Sequence, residues 1–210
     1  MKYFFLFFFL SASAQVLLAA EPMTLPNGIK VSFENKEVHA PISVSNKNGQ
    51  LEFIVSKGLE KDYESVFSTK ISAKDIHMAI LLIGIEPSAY AEGQKAPQSS
   101  QLELFVKFGE EEAQPISHYL KWKDGSDVQG HFYFVGSFFE KISGRSQYMA
   151  ELSLNIVAAY PDKSMVISPN FNVENPYAEG ESVLYPDGKT LPKIGTKGML
   201  IIRKPQKAAK

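Results

Sequence analysis

The chain has 210 residues, of which 44% are hydrophobic and 21% charged, with 12 Pro, 14 Gly and no Cys. That composition excludes a disordered or fibrous protein, and the missing thiol excludes a disulfide framework, a thiolate nucleophile, Cys-ligated zinc, an iron–sulfur cluster and thioether-bound haem. Lys and Arg total 22 against 23 acidic residues, so the net charge of −1 gives nucleic acid and anionic membranes no general attraction, and nucleic acid is not an expected partner.

Lys2 precedes the apolar run Tyr3 to Leu10, followed by small residues and Glu21-Pro22, which is the three-part layout of a secretory signal peptide. Cleavage after Ala14 would use Ala12-Ser13-Ala14. Cleavage after Ala20 uses both apolar stretches and is preferred, giving a leader of residues 1–20 and a single domain of residues 21–210. The alternative is an uncleaved anchor, because residues 3 to 20 approach the ~20 apolar residues that cross a bilayer. Ser11, Ser13 and Gln15 interrupt that stretch, and no cluster of positive charge follows it. After cleavage no transmembrane span is expected. An exported chain without Cys fits a bacterial periplasm or the medium, since a eukaryotic secreted domain of this size more often carries disulfides.

Ile29 to Phe33 and Val38 to Val44 predict short strands, and Pro41 argues that the second lies at a sheet edge. Leu51, Phe53 and Val55 alternate with Glu52 and Ile54 as in a strand; with Tyr63 to Thr69 they predict an antiparallel hairpin with a long loop. Ser72-Ala73-Lys74-Asp75 is a helix start, the Ser hydroxyl capping a free amide and Asp75 complementing the positive end. Ile76 to Ile83 is apolar all round, which predicts a helix buried against a sheet and ending near Gly84. Residues 86 to 100 read as a loop. Beyond it Leu102, Leu104, Val106 and Phe108 give the clearest alternation of the chain, and Glu110-Glu111-Glu112 reads as a solvated loop.

Ile116 to Trp122 is a short helix or an irregular strand. His131 to Gly136, Gln147 to Leu152, Ile156 to Tyr160 and Gly198 to Arg203 read as strands, while the prolines of residues 161 to 196 make that stretch largely loop. The expected fold is α+β, a mostly antiparallel sheet with one strongly apolar buried helix and one or two short helices. A body of ~190 residues buries enough surface to need no metal or staple.

Three segments carry a family resemblance: Gly49 to Phe53 with Tyr63 to Thr69, then Asp75 to Pro87, then Phe132 to Ser137. In this order and spacing, continued by Asn155-Ile156-Val157, Pro169-Asn170 and Gly195-Thr196, the chain resembles the YdjY-like domain of exported bacterial proteins over most of residues 40 to 204. The resemblance brings no reaction or ligand. Some relatives are described as ferredoxin-like with a cysteine-rich iron–sulfur region, and a chain without Cys cannot take that role.

Glu64, Ser65, His77, Gly136 and Ser137 lie in the matching segments. Ser65 or Ser137 with His77 and a carboxylate could form a nucleophilic triad, although the G-x-S-x-G elbow is absent. The structural alternative has both serines bonding backbone at strand ends while His77 tethers the helix to a loop. His39, His77, His118 and His131 show no metal-ligand spacing, and no metal or cofactor is expected. Pro169 to Tyr177 alternates amides and aromatics, so Asn170, Asn172 and Asn175 either bind a ligand or serve as turn residues. These readings give a non-enzymatic exported domain that binds or scaffolds an envelope protein or small ligand. A hydrolase, or an accessory subunit of a membrane or redox complex, are the alternatives.

Overall fold

The computed structural model describes residues 21–58, 60–88, 97–171 and 183–206. Its strands, in chain order, are β1 (Met23–Thr24), β2 (Lys30–Ser32), β3 (Glu37–Val44), β4 (Phe53–Lys57), β5 (Ser65–Thr69), β6 (Gln101–Lys107), β7 (Gln114–Pro115), β8 (Leu120–Trp122), β9 (Phe132–Phe134), β10 (Phe139–Ile142), β11 (Arg145–Tyr148), β12 (Asn155–Ala158), β13 (Ile167–Pro169), β14 (Leu184–Pro186) and β15 (Lys197–Arg203). Two α-helices, α1 (Ala73–Leu82) and α2 (Met149–Leu152), lie outside the strands.

The main sheet runs β3-β15-β6-β9-β13-β12-β4-β5 and returns to β3 through the pairs Ser43↔Ser68 and Val44↔Phe67, so eight strands close into a barrel. With 39% of the described chain in strands and 14% in helix, the fold is mostly β. The α+β expectation is therefore overturned. Inside-outside alternation, seen in the burial of Leu102, Leu104 and Val106 along β6, is the same in an open sheet and a barrel. Closure depends on β5 reaching β3, a long-range event that no local pattern records. Most neighbours in the barrel are antiparallel, as expected, with β4–β5 and β12–β13 parallel.

The parallel pairing of β4 with β5, in register Phe53↔Ser65 to Lys57↔Thr69, corrects the expected hairpin. The link from Lys57 to Ser65 carries the chain back to start a parallel strand instead of turning it in place, a short crossover made possible by strands of only five residues. Pro41 is not at an edge either: β3 pairs with β15 along its whole length, and on its other side with β2 over Glu37 to His39 and with β5 over Ser43 and Val44. The Pro41 carbonyl accepts from Thr69 Oγ1 at 2.6 Å, so the ring nitrogen, on the same side of the strand, faces the gap between β2 and β5 where no ladder bond is missed.

Helix α1 starts as expected, with Ser72 Oγ accepting from the Asp75 amide at 3.1 Å, and Gly84 follows its end at φ 78°. Its burial differs from expectation. Ala73, Ile76, Ala79 and Ile80 pack on the barrel, whereas Met78, Leu81 and Leu82 face solvent. The small residues Ala73 and Ala79 mark the packed face, because they let the helix backbone approach the strands closely. Two further readings change. Gln147 to Leu152 is the end of β11 followed by α2, and the proline-rich stretch supplies the barrel strand β13 and strand β14, which pairs with β8.

Candidate functional site

Four regions carry polar or apolar features that could serve function. The first is the joint where β9 leaves the barrel. The amides of Val135 and Gly136 both donate to the Val166 carbonyl at 3.0 Å, and Gly136 (φ 76°) and Ser137 (φ 55°) then turn the chain through left-handed conformations. A Cβ on Gly136 would lie 2.4 Å from Pro87 Cβ and 3.3 Å from His77 Cε1, so only glycine admits this packing. The Tyr148 hydroxyl donates to the Gly136 carbonyl at 2.8 Å and stands 2.8 Å from His77 Nδ1. With the phenol proton used on Gly136, Nδ1 carries its own proton and donates to the phenol oxygen. Burial holds the His77 pKa below the usual histidine value, so the ring is neutral near pH 7. The Tyr148 phenol, displaced upward chiefly by burial, also stays protonated.

Ser137 Oγ donates to the Ser164 carbonyl at 2.6 Å and accepts from the Ala150 amide at 3.0 Å. Its hydroxyl is thus occupied by backbone, and the partner of His77 Nδ1 is Tyr148. Ser65, fully buried at the start of β5, donates to the Lys61 carbonyl at 2.7 Å. The sequence-nominated residues therefore separate into two groups: His77, Gly136 and Ser137 meet at one joint, while Glu64 and Ser65 lie at the end of β5 remote from α1, which follows the strand's other end.

The second region is a carboxyl pair. The Glu52 amide donates to the Glu64 carbonyl at 3.2 Å at the entrance to β4 and β5, bringing two acidic side chains together. Glu52 is 7% exposed, and its Oε1, like Glu64 Oε2, is buried with no hydrogen-bond partner. Lys61 Nζ approaches Glu64 Oε2 only to 3.7 Å. Burial first, then the hydrogen bond and charge of Glu64, raise the Glu52 pKa to about 7, against a smaller opposing pull from Lys61. Tyr160 nearby is pushed up to about 12 by burial, with Asp162 and Glu52 adding to the effect. Burial beside a second carboxyl therefore keeps Glu52 protonated well above the usual carboxylate range.

Asn170 braces the third region, the end of β9. Its Oδ1 accepts from the His131 amide at 3.1 Å and its own amide donates to the His131 carbonyl at 3.0 Å. Asn172 and Asn175 lie outside the described residues.

The fourth region is apolar and exposed. Met78 (56%), Leu82 (41%) and Leu81 project from α1, Leu152 (50%) from α2 and Phe139 (65%) from the β10–β11 hairpin. These elements touch: Phe139 packs on Tyr148 at 5.2 Å between ring centroids, Tyr148 on His77 at 5.8 Å, and Glu151 of α2 pairs with Lys57 and reaches the Lys74 amide of α1. A cleft of about 300 Å³ opens among them, lined by Lys74, Gln147, Tyr148, Glu151 and Leu152.

Sequence reading missed Tyr148, Glu52 and the exposed face of α1. Only the last left a signal, the small residues on the opposite side of the helix. Among the described residues no three His, Asp or Glu side chains group closely enough to hold a metal, and no helix is long and apolar enough to cross a membrane. No curated protein and no solved structure matches the chain. A family model, the YdjY domain, matches residues 29–203, from the start of β2 to the end of β15. The barrel and the joint at Gly136 lie inside that match, and the chain belongs to the YdjY domain family.

Proposed function

We propose that this protein is an exported, non-enzymatic binding module that seats on a partner protein of the cell envelope through α1, α2 and the β10–β11 hairpin. The observation that supports it is the set of large apolar side chains, Met78, Leu81, Leu82, Phe139 and Leu152, left exposed on three adjoining elements. Large apolar side chains exposed on neighbouring elements, rather than scattered singly, mark protein-interaction sites. That face favours the accessory-subunit form of the reading. A hydrolase has less support, because both candidate serine hydroxyls donate to backbone carbonyls and the hydrogen-bond partner of His77 is Tyr148 rather than either serine. Export rests on the leader-like residues 1–20.

The test is photo-crosslinking in the native bacterial envelope, with a photoreactive residue placed in turn at Met78, at Leu82 and, as control, at exposed Phe33 before β3. The expected result is one discrete protein adduct from positions 78 and 82, absent from position 33 and lost when Phe139→Asp is added. Uniform or absent adducts overturn the proposal. So does ester hydrolysis by the purified protein that Ser137→Ala and His77→Gln abolish.

A further inference from the structure

A separate cleft of about 200 Å³ lies where the turn before β4 meets the β8–β14 ribbon. Lys47, Lys121 and Lys189 line it from three different segments, joined by Asn48, Tyr185 and Gly188, and its lining contains no carboxylate. Among the described residues none of these three ammonium groups has a carboxylate within 4.0 Å. The nearby Asp187 is committed to its own turn, its Oδ1 accepting from the Lys189 amide at 3.0 Å. Among the described residues, three lysines against Asp187 at the rim and Asp127, whose backbone bridges to Lys121, leave this cleft net positive in a chain whose net charge is −1.

The walls are fixed before any ligand arrives. Lys47 Nζ donates to the Leu191 carbonyl at 2.8 Å, which holds the ammonium in place and leaves two of its protons free. The Asp187 amide donates to the Tyr119 carbonyl at 2.8 Å, pinning the turn to the ribbon. A Cβ at Gly188 would stand 3.1 Å from the Lys47 carbonyl, so glycine lets that turn close against the opposite wall.

We propose that this cleft binds a phosphoryl group. A tetrahedral oxyanion presents a separate acceptor to lysines approaching from each of three segments, whereas a carboxylate offers two oxygens in one plane, and lysine serves phosphate as a point charge. Asn48 and Tyr185 line the cleft as well. The proposal is independent of the apolar face and of the partner argued above.

Titration of the full-length exported protein with pyrophosphate, against chloride at matched ionic strength, tests it by amide NMR. Saturable shifts at the Gly49, Gly188 and Lys189 amides are expected. Lys121→Gln with Lys189→Gln should weaken binding at least tenfold while leaving the ligand-free melting temperature unchanged, and Lys30→Gln with Lys204→Gln, equal in charge change, should not weaken it. In a second arm, co-sedimentation with phosphatidylglycerol vesicles that is lost in the Lys121/Lys189 variant identifies a lipid headgroup as the source, and pyrophosphate binding without co-sedimentation identifies a soluble phosphate. The proposal is overturned if no saturable shift appears up to about 10 mM pyrophosphate, or if the control pair weakens binding as much.

Discussion

The joint around Gly136 and the carboxyl pair at Glu52 and Glu64 are both polar, partly buried and attached to the same barrel, yet they are built in opposite ways. At the joint the Ser137 and Tyr148 hydroxyls, the Gly136 carbonyl and His77 Nδ1 each have a partner with good geometry. In the carboxyl pair two oxygens are buried with none. A satisfied network fixes a conformation, and here it holds α1, α2 and the β10–β11 hairpin in the arrangement that exposes the apolar face. An unsatisfied pair stores a dependence on protons. The first fixes the local structure and the second is a titrating weakness in the wall.

Gly136→Ala should break the joint outright. It combines a positive φ with a Cβ driven into Pro87, and a loss of about 3 kcal/mol or more is expected in denaturant unfolding. Gly144→Ala is the control, since Gly144 has a similar φ of 79° but open space around its Cβ, and about 1 kcal/mol is expected there. Tyr148→Phe comes next. It strips the Gly136 carbonyl and His77 Nδ1 of their common partner, for about 1–3 kcal/mol.

The two regions also respond to pH with opposite sign. The Glu52 pKa, raised to about 7 in the fold, lets the folded state keep a proton that the unfolded state releases from pH 4.5 upward. Its contribution to stability therefore falls as pH rises from about 4.5 to 7 and is flat above. His77, lowered by burial, resists protonation in the fold, so its contribution falls as pH drops below the ordinary histidine value of 6.5. Glu52→Gln should accordingly stabilise the protein by about 1–2 kcal/mol at pH 8 and change little at pH 4, as read by thermal unfolding at the two pH values. The smallest effect on stability is expected on the apolar face: Met78→Lys with Leu82→Lys should stay within about 0.5 kcal/mol of the parent, because both side chains are already in water.

Sequence reading reached β3, β4, β6 and β15, the start and end of α1, and the backbone-bonding roles of Ser65 and Ser137, because each has a local cause: alternation at Leu102 to Val106, a capping hydroxyl at Ser72, and hydroxyls placed next to strand ends. What it missed is non-local. The closing pairs Ser43↔Ser68 and Val44↔Phe67 leave no trace in period, and the parallel pairing of β4 with β5 looks in sequence like any two strands with a loop between them. Glu52 and Glu64 are twelve positions apart and meet only when two parallel strands begin side by side. On α1 the apolar run concealed which face was packed, and Ala73 and Ala79 were the clue.

The account stands or falls on the exposed face of α1 being covered in the envelope. The direct measurement is the fraction of the protein that co-migrates with a larger envelope assembly, wild type against the Met78→Lys, Leu82→Lys variant at equal expression and equal melting temperature. A wild-type fraction that collapses to free domain in the variant is the expected result. An identical distribution for both, whether bound or free, would contradict it.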